Sequence, residues 1–225
     1  KFEEGTGKIV SIDHEYESFN EPRGHIDEGI TLINGITDEM VKGKSIDWST
    51  VDAIMQGVDI IVSHNASFDR AFMDRYSTIS QNTVWACTID DIDWLGRGFT
   101  NTKQELLCHW HGFYFEAHRA MNDVNALIHL LTHQHYNGNR PVLELIGNAG
   151  KPLHVIHATN FPYDEVKKDT IKANGYQWNG VDKIWYKRVN FVNLESEKDW
   201  LTSVIYDTHF LGEVEEINLV DKYKI

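Results

Sequence analysis

Apolar and polar positions alternate from Val10 to Tyr16, with Val10, Ile12, His14 and Tyr16 on one side and Ser11, Asp13 and Glu15 on the other. That period of two predicts a half-buried strand. Ser49-Thr-Val-Asp52 is a capping-box signal ahead of a short helix that stops near Gly57. Asp59-Ile-Ile-Val-Ser63 reads as a short buried strand that runs into the helical spacing of His64 to Tyr76, and Thr83 to Cys87 predicts a second strand. Helical patterns follow near 88–96, 102–111 and 118–135, the last with Met121, Val124, Leu127, Ile128 and Leu131 on one stripe. Strands alternating with helices predict α/β layers.

Two clusters of turn formers, Tyr136-Asn-Gly-Asn-Arg-Pro141 and Gly147-Asn-Ala-Gly150-Lys-Pro152, bracket a short, mostly apolar run. They predict a linker over 137–152 between a domain at 1–136 and another at 153–225. In the second, Leu153 to Ala158 predicts a strand and Tyr163 to Asn174 a helix closed by Gly175. Tyr176 to Val189 predicts a hairpin turning at Asn179-Gly180, Glu195 to Tyr206 a helix, and Glu213 to Tyr223 a last strand. The order β-α-β-β-α-β matches a small α+β, ferredoxin-like plan.

Charge sharpens that division. The chain of 225 residues carries 21 Lys and Arg against 34 Asp and Glu, net −13. A broad basic surface for nucleic acid is excluded, since that mode works by releasing counterions to Lys and Arg. The segment 151–190 is the exception, with seven basic and four acidic side chains. Apolar runs are far shorter than the ~20 residues needed to cross a bilayer, so no membrane span is expected. Two cysteines, Cys87 and Cys108, cannot build a disulfide framework and predict reduced thiols of a cytoplasmic protein.

Two carboxylates stand on the wrong faces of their helices. Asp69 shares a stripe with Phe72, Met73 and Tyr76, and Asp123 with Leu127 and Leu130. Taking an ionised carboxylate out of water costs several kcal/mol unless a counter-charge offsets it, and no Lys or Arg occupies either stripe. A lone Asp at a helix start is ordinarily satisfied by backbone N–H groups or water. Two of them, with His118 opening the helix of Asp123, point to a bound cation. For His118 itself, a solvated histidine at a helix start is the alternative reading.

His64-Asn-Ala-Ser-Phe-Asp69 followed by His118-x4-Asp123, with Asn34-Gly-Ile-Thr-Asp-Glu-Met40 upstream and Thr102-Lys-Gln-Glu-Leu-Leu-Cys108 between, resembles the DnaQ-like, DEDDh 3′-to-5′ exonuclease family. The resemblance covers residues 1–135 and implies an RNase H-like mixed sheet with flanking helices. It implies that Asp69 and Asp123 bind two divalent cations together with an Asp-x-Glu pair on a first strand. It also implies that His118 is the general base and that His64, Asn65 and Phe68 lie near the terminal nucleotide. The implied reaction releases nucleoside 5′-monophosphates from a single-stranded 3′ end of DNA or RNA. Two cations about 3.5–4 Å apart activate water and neutralise the attacking and leaving oxygens, and oxygen ligands select Mg²⁺ or Mn²⁺.

The departure is in the first acidic pair. Asp13-His-Glu15 is literally Asp-x-Glu, but it lacks the family's following Thr-Gly, lies too close to Asn34-Gly-Ile, and occupies the polar side of its alternating segment. The expectation is therefore that the family's first strand and half its metal ligands are missing from this stretch. Little or no nuclease activity is expected of Lys1 to Ile225 alone, and activity of a longer form. The alternative is a catalytically silent exonuclease-like protein that binds nucleic acid.

The hairpin interleaves Tyr176, Trp178, Trp185 and Tyr186 with Lys183, Lys187 and Arg188. Trp178, Trp185 and Lys187 are the candidates for stacking bases and holding phosphates, as single-strand binders do. Aromatics covering a small core with lysines solvating the edge is the alternative. His129-x3-His133 has helical metal-pair spacing but no following Glu, and histidines in a last helical turn are favoured by the helix dipole anyway.

Overall fold

The apolar runs Ile60–Ser63 (β1) and Val84–Cys87 (β2) pair in parallel, Ile60 beside Val84 through Ser63 beside Cys87, in the computed structural model. The structure describes residues 1–136 and 138–224. It comprises two units, Lys1–Asn148 with Tyr223–Ile225, and Ala149–Lys222. Parallel strands need a crossover connection. Here α4 (Ala66–Met73) and α5 (Thr78–Asn82) supply it, after α1 (Glu28–Asn34), α2 (Asp38–Val41) and α3 (Trp48–Met55). Helices α6 (Gln104–Trp110), α7 (Ala120–Leu131) and α8 (Pro141–Ala149) complete the first unit. Among the described residues, no helix is long and apolar enough to cross a membrane.

Several expected elements take another form. Val10 to Tyr16 is not a strand, and Val10 and Ile12 are exposed. Alternation yields a strand only where a neighbour offers backbone partners and a layer to cover the apolar side. The expected helix at 88–96 is a series of turns, because side chains there capture the backbone. Asp91 Oδ2 accepts from the Cys87 N–H and the Tyr223 hydroxyl, each at 2.9 Å, and Trp94 Nε1 donates to the Thr88 carbonyl at 2.7 Å. Helix α3 starts at Trp48, capped by Asp47, whose carboxylate accepts from the N–H of Ser49 and of Thr50. The expected linker 137–152 carries α8, which begins on Pro141 and buries Val142 and Leu145; Asn137 lies outside the described residues.

In α4 the buried polar residue is Arg70, while Phe72 and Tyr76 of the apolar stripe are exposed. Arg70 Nε donates to Asp74 Oδ2 at 3.0 Å and Nη2 to the Gln81 carbonyl at 3.3 Å, and the guanidinium lies 5.7 Å from the centroid of buried Trp85.

The second unit is a four-stranded antiparallel sheet in the order β4 (Gln177–Asn179), β5 (Ile184–Asn190), β3 (Leu153–Ala158), β6 (Glu213–Ile217). Helix α9 (Glu165–Ala173) is capped by Asp164, whose carboxylate accepts from the Lys167 N–H at 2.9 Å. Gly175 follows it with φ +86°, a left-handed conformation that glycine adopts without a Cβ clash. Helix α10 (Leu194–Trp200) continues as a π-helix, Leu201–Tyr206. Ile156, Ala158, Ile171, Trp185, Leu201 and Ile205 form the core. The hairpin turn is longer than Asn179-Gly180, since β5 resumes at Ile184. The last strand stops at Ile217, and Tyr223 packs instead with Ala66, Trp85 and Cys87 in the first unit.

Arg70→Ala should destabilise the first unit by about 3 kcal/mol in urea denaturation, because Asp74 is left without its cation; a loss near zero would show that the pair is not what holds α4. A second test concerns acid. His111 Nδ1 lies 2.6 Å from the Leu107 carbonyl and Nε2 bonds the Tyr136 hydroxyl. Burial pushes its pKa below 6.5, and it does the same at His133, whose neighbours His111, His129 and His135 add repulsion. The fold thus prefers both imidazoles neutral while the unfolded chain takes up protons near 6.5. Their contribution is present above that pH and lost as pH falls through it. The urea midpoint should therefore be lower at about pH 5 than at about pH 7.5, with the difference reduced in His111→Gln.

Candidate active site

Asp69 and Asp123 both sit in the first turn of a helix, α4 and α7, where the helix dipole favours a negative charge. Each helix is entered through a residue in the left-handed region: Asn65 at φ +69° and His118 at φ +68°. For histidine this costs of order 1–3 kcal/mol and persists only where the surroundings impose it. Two of the six non-glycine residues with positive φ among the described residues therefore precede the two helices that carry the acids.

Burial dominates both carboxylates and raises both pKa values. Asp69 Oδ2 accepts from the Ser63 hydroxyl at the end of β1, which partly offsets the loss of water. Asp123 Oδ1 accepts from the His118 N–H at 3.3 Å, and its carbonyl accepts from Gln104 Nε2 at 2.6 Å. Among the described residues, neither carboxylate has an ion pair within 4.0 Å. His118 Nε2 stands 3.4 Å from Glu105 Oε1, both side chains more than half exposed.

The remaining predicted contacts divide. His64 is half-buried, and its Nδ1 bonds the Thr88 hydroxyl at 2.7 Å, tying the end of β1 to the turn after β2; burial lowers its pKa. Asn65 is exposed, and Phe68 is 60% exposed beside Phe72, with ring centroids 5.3 Å apart. On α7 the face next to Asp123 borders a cavity of about 540 Å³, lined by Met121, Val124 and Ile128 with Trp48, Val51 and Met73. Sequence reading missed this cavity because Trp48 and Met73 are distant in the chain. The signal it left is Val124, a member of the expected apolar stripe that is half exposed.

In the second unit the three nucleic-acid candidates part company. Trp178 is 42% exposed, whereas Trp185 is 7% exposed and belongs to the core. Lys187 Nζ is bound to Glu197 Oε2 at 2.7 Å and lies over the Tyr176 ring, so it is a packing residue more than an open cation. The cause is register: Trp185 and Lys187 share the helix-covered side of β5 with Val189.

The donor chemistry fits a hard cation in part. Two partly desolvated carboxylates without a basic partner offer oxygen ligands of the kind that Mg²⁺ or Mn²⁺ takes. The expected set of four is not assembled: among the described residues, no group of three or more His, Cys, Asp or Glu side chains could hold a metal ion. Asp13 is exposed and engaged with Lys1 Nζ at 2.6 Å, so it does not extend the pair. Cys87 and Cys108 are buried thiols, pushed up to about 11 and about 12, and are not nucleophiles near neutral pH.

The RNase_T family model, described as exonuclease, matches residues 3–131. The chain is 30% identical over 136 residues to "DNA polymerase III PolC-type" of Listeria monocytogenes serovar 1/2a, covering 55% of this chain and 9% of that protein. It is 30% identical over 182 residues to the protein of the same name from Bacillus subtilis strain 168, covering 76% of this chain and 11% of that protein. The chain thus spans 9 to 11% of the length of these curated relatives. No solved structure matches it significantly.

A raised carboxyl pKa means that ionised Asp69 burdens the fold above that pKa, and the burden disappears as pH falls below it. Asp69→Asn should therefore melt at a higher temperature than the parent at pH 7 in EDTA. Millimolar Mg²⁺ or Mn²⁺ should raise the parent's melting temperature and leave that of Asp69→Asn unchanged; equal responses in both proteins would show that this carboxylate holds no cation.

Proposed function

We propose, from the premise that the chain belongs to the exonuclease family, that it removes nucleoside 5′-monophosphates from the 3′ end of a single-stranded nucleic acid. The observation that carries the reading is the pair of desolvated carboxylates, Asp69 and Asp123, each one turn after a left-handed residue and neither ion-paired among the described residues. These two side chains would hold divalent cations, Mg²⁺ or Mn²⁺, whose charge helps activate water and neutralises the attacking and leaving oxygens in a two-ion scheme.

The chain's own groups supply the rest. Glu105 Oε1 near His118 Nε2 favours the tautomer that keeps its proton on Nε2, leaving Nδ1 to take a proton from the attacking water. Ser63 holds the Asp69 carboxylate in place, and the His118 N–H does so for Asp123. Asn65 and Phe68, exposed at the entry to α4, are assigned to the terminal nucleotide, with His64 as the support beneath them. We assign residues 1–136 to the nuclease domain and 153–225 to an accessory domain. The antiparallel order β4-β5-β3-β6 with α9 and α10 supports a ferredoxin-like reading of the latter. The buried free thiols suit the reducing cytoplasm.

A second reading, an exonuclease-like protein that binds without cutting, is favoured by the absence of a third ligand at any acidic cluster among the described residues. Incubation of the purified chain with a 5′-labelled oligonucleotide separates the two. Stepwise shortening that needs Mg²⁺ or Mn²⁺, is lost in Asp69→Asn and Asp123→Asn, and falls about 10²–10⁴-fold in His118→Ala supports the enzyme. Tight binding with no nucleoside monophosphate released, by this chain and by a longer form that carries an Asp-x-Glu strand, supports the silent binder.

A further inference from the structure

Trp178 is the exposed member of an aromatic pair on the second unit. It lies on β4, the short edge strand, directly opposite Trp185 of β5, with ring centroids 5.4 Å apart and planes 59° apart. Trp185 is in the core, but Trp178 keeps 42% of its surface open. Phe161 packs against Trp185 from the segment before α9, and Tyr163, 79% exposed, meets Phe161 edge-on at 5.7 Å. These four rings and Lys168 line a concavity of about 410 Å³. That is within the ~300–1,000 Å³ of small-ligand pockets and has room for a nucleobase with its sugar.

The rings alone would take any flat apolar group. Charge selects among them: the surrounding segment 151–190 is net +3 in a chain of net −13. Four of its seven cations, Lys168, Lys172, Lys183 and Arg188, are exposed, Arg188 on the sheet face opposite Trp185. The Lys183 carbonyl accepts from the Tyr163 hydroxyl at 3.4 Å, which sets that lysine's backbone beside the aromatic rim. Lys168 pairs with Glu165 at 3.2 Å, both ends more than half exposed, and an exposed pair of this kind yields readily to a phosphate. Two acids share the rim with Lys168: Asp164 is committed to capping α9, and Glu165 is the partner of Lys168 itself. A proline-rich peptide would stack on the same rings but has no use for the basic surround.

We propose that this pocket holds an unpaired base of a single-stranded polynucleotide, stacked on Trp178 and Tyr163, with the flanking phosphates against Lys168 and Lys183. The inference rests on the nucleic-acid reading of the protein, but names residues outside its nuclease site. Base stacking on an aromatic platform tolerates every base and draws its affinity from ring contact plus salt-sensitive phosphate contacts.

The test is fluorescence anisotropy of the intact protein with a fluorescein-labelled oligothymidylate in EDTA, where no hydrolysis intervenes. Trp178→Ala and Tyr163→Ala should each weaken binding about fivefold or more, and Trp178→Phe should retain most of it. Tyr163 is 79% exposed, so a loss of binding in Tyr163→Ala is not attributable to unfolding. Lys168→Glu should weaken binding at low salt and make little difference at high salt. Val181→Ala, exposed on the hairpin turn, should match the parent.

Unchanged affinity in both Trp178→Ala and Tyr163→Ala overturns the proposal, as does displacement by thymidine monophosphate as effective as by the oligomer, which would assign the pocket to a free nucleotide. Digestion with intact activity alongside such a result would leave the nuclease reading standing. Pocket-dependent binding keeps this inference whether or not digestion occurs.

Discussion

The arrangement turns on the partial removal of two carboxylates from water with no ion-paired cation among the described residues to receive them. Asp69 and Asp123 each keep a hydrogen-bond donor, a hydroxyl for one and a backbone N–H for the other, and burial still raises both pKa values. Neutral donors recover only part of a desolvation penalty that an opposite charge would cancel. A helix N-terminus lowers the cost further, and both acids use one. What is left over is negative charge that neutral donors only partly compensate, and the chain accepts left-handed backbone at Asn65 and His118 just ahead of these helices.

The neighbourhood shows how differently the same protein treats charge when it builds for stability. Arg70, as deeply buried as any side chain in the first unit, meets Asp74, the Gln81 carbonyl and the Trp85 ring. Buried Asp91 is likewise met by the Cys87 N–H and the Tyr223 hydroxyl, which brings the end of the chain into that core. Against these bonded groups, the under-served pair at the helix starts stands apart chemically. The half-exposed Phe68 and Phe72 of α4 add apolar surface on the helix that carries Asp69.

The second unit divides aromatic residues by register. In a sheet, one residue along the strand reverses the face, and an edge strand has a neighbour on only one side. Trp185, on β5 between two neighbours, is covered; Trp178, across from it on the edge, is half open. Lys187 shares the covered side and is neutralised by Glu197, while Arg188 one residue later is exposed. One hairpin thus supplies both a core wall and an open ring.

Sequence alone determined the local character of most elements: β1 and β2 from their short apolar runs, and α9 from Gly175. Those features depend on contacts within a few residues. It did not foretell that Val10 to Tyr16 lacks a strand partner, that 88–96 gives its backbone to Asp91 and Trp94, or that 141–149 is a helix with Val142 and Leu145 buried. Nor did it show that Arg70 is buried in place of Phe72, or that Tyr163 and Lys168 join Trp178 while Lys187 does not. Only tertiary structure decided these, because burial and charge pairing are properties of neighbours brought from elsewhere in the chain, and periodicity carries no information about which neighbours will arrive.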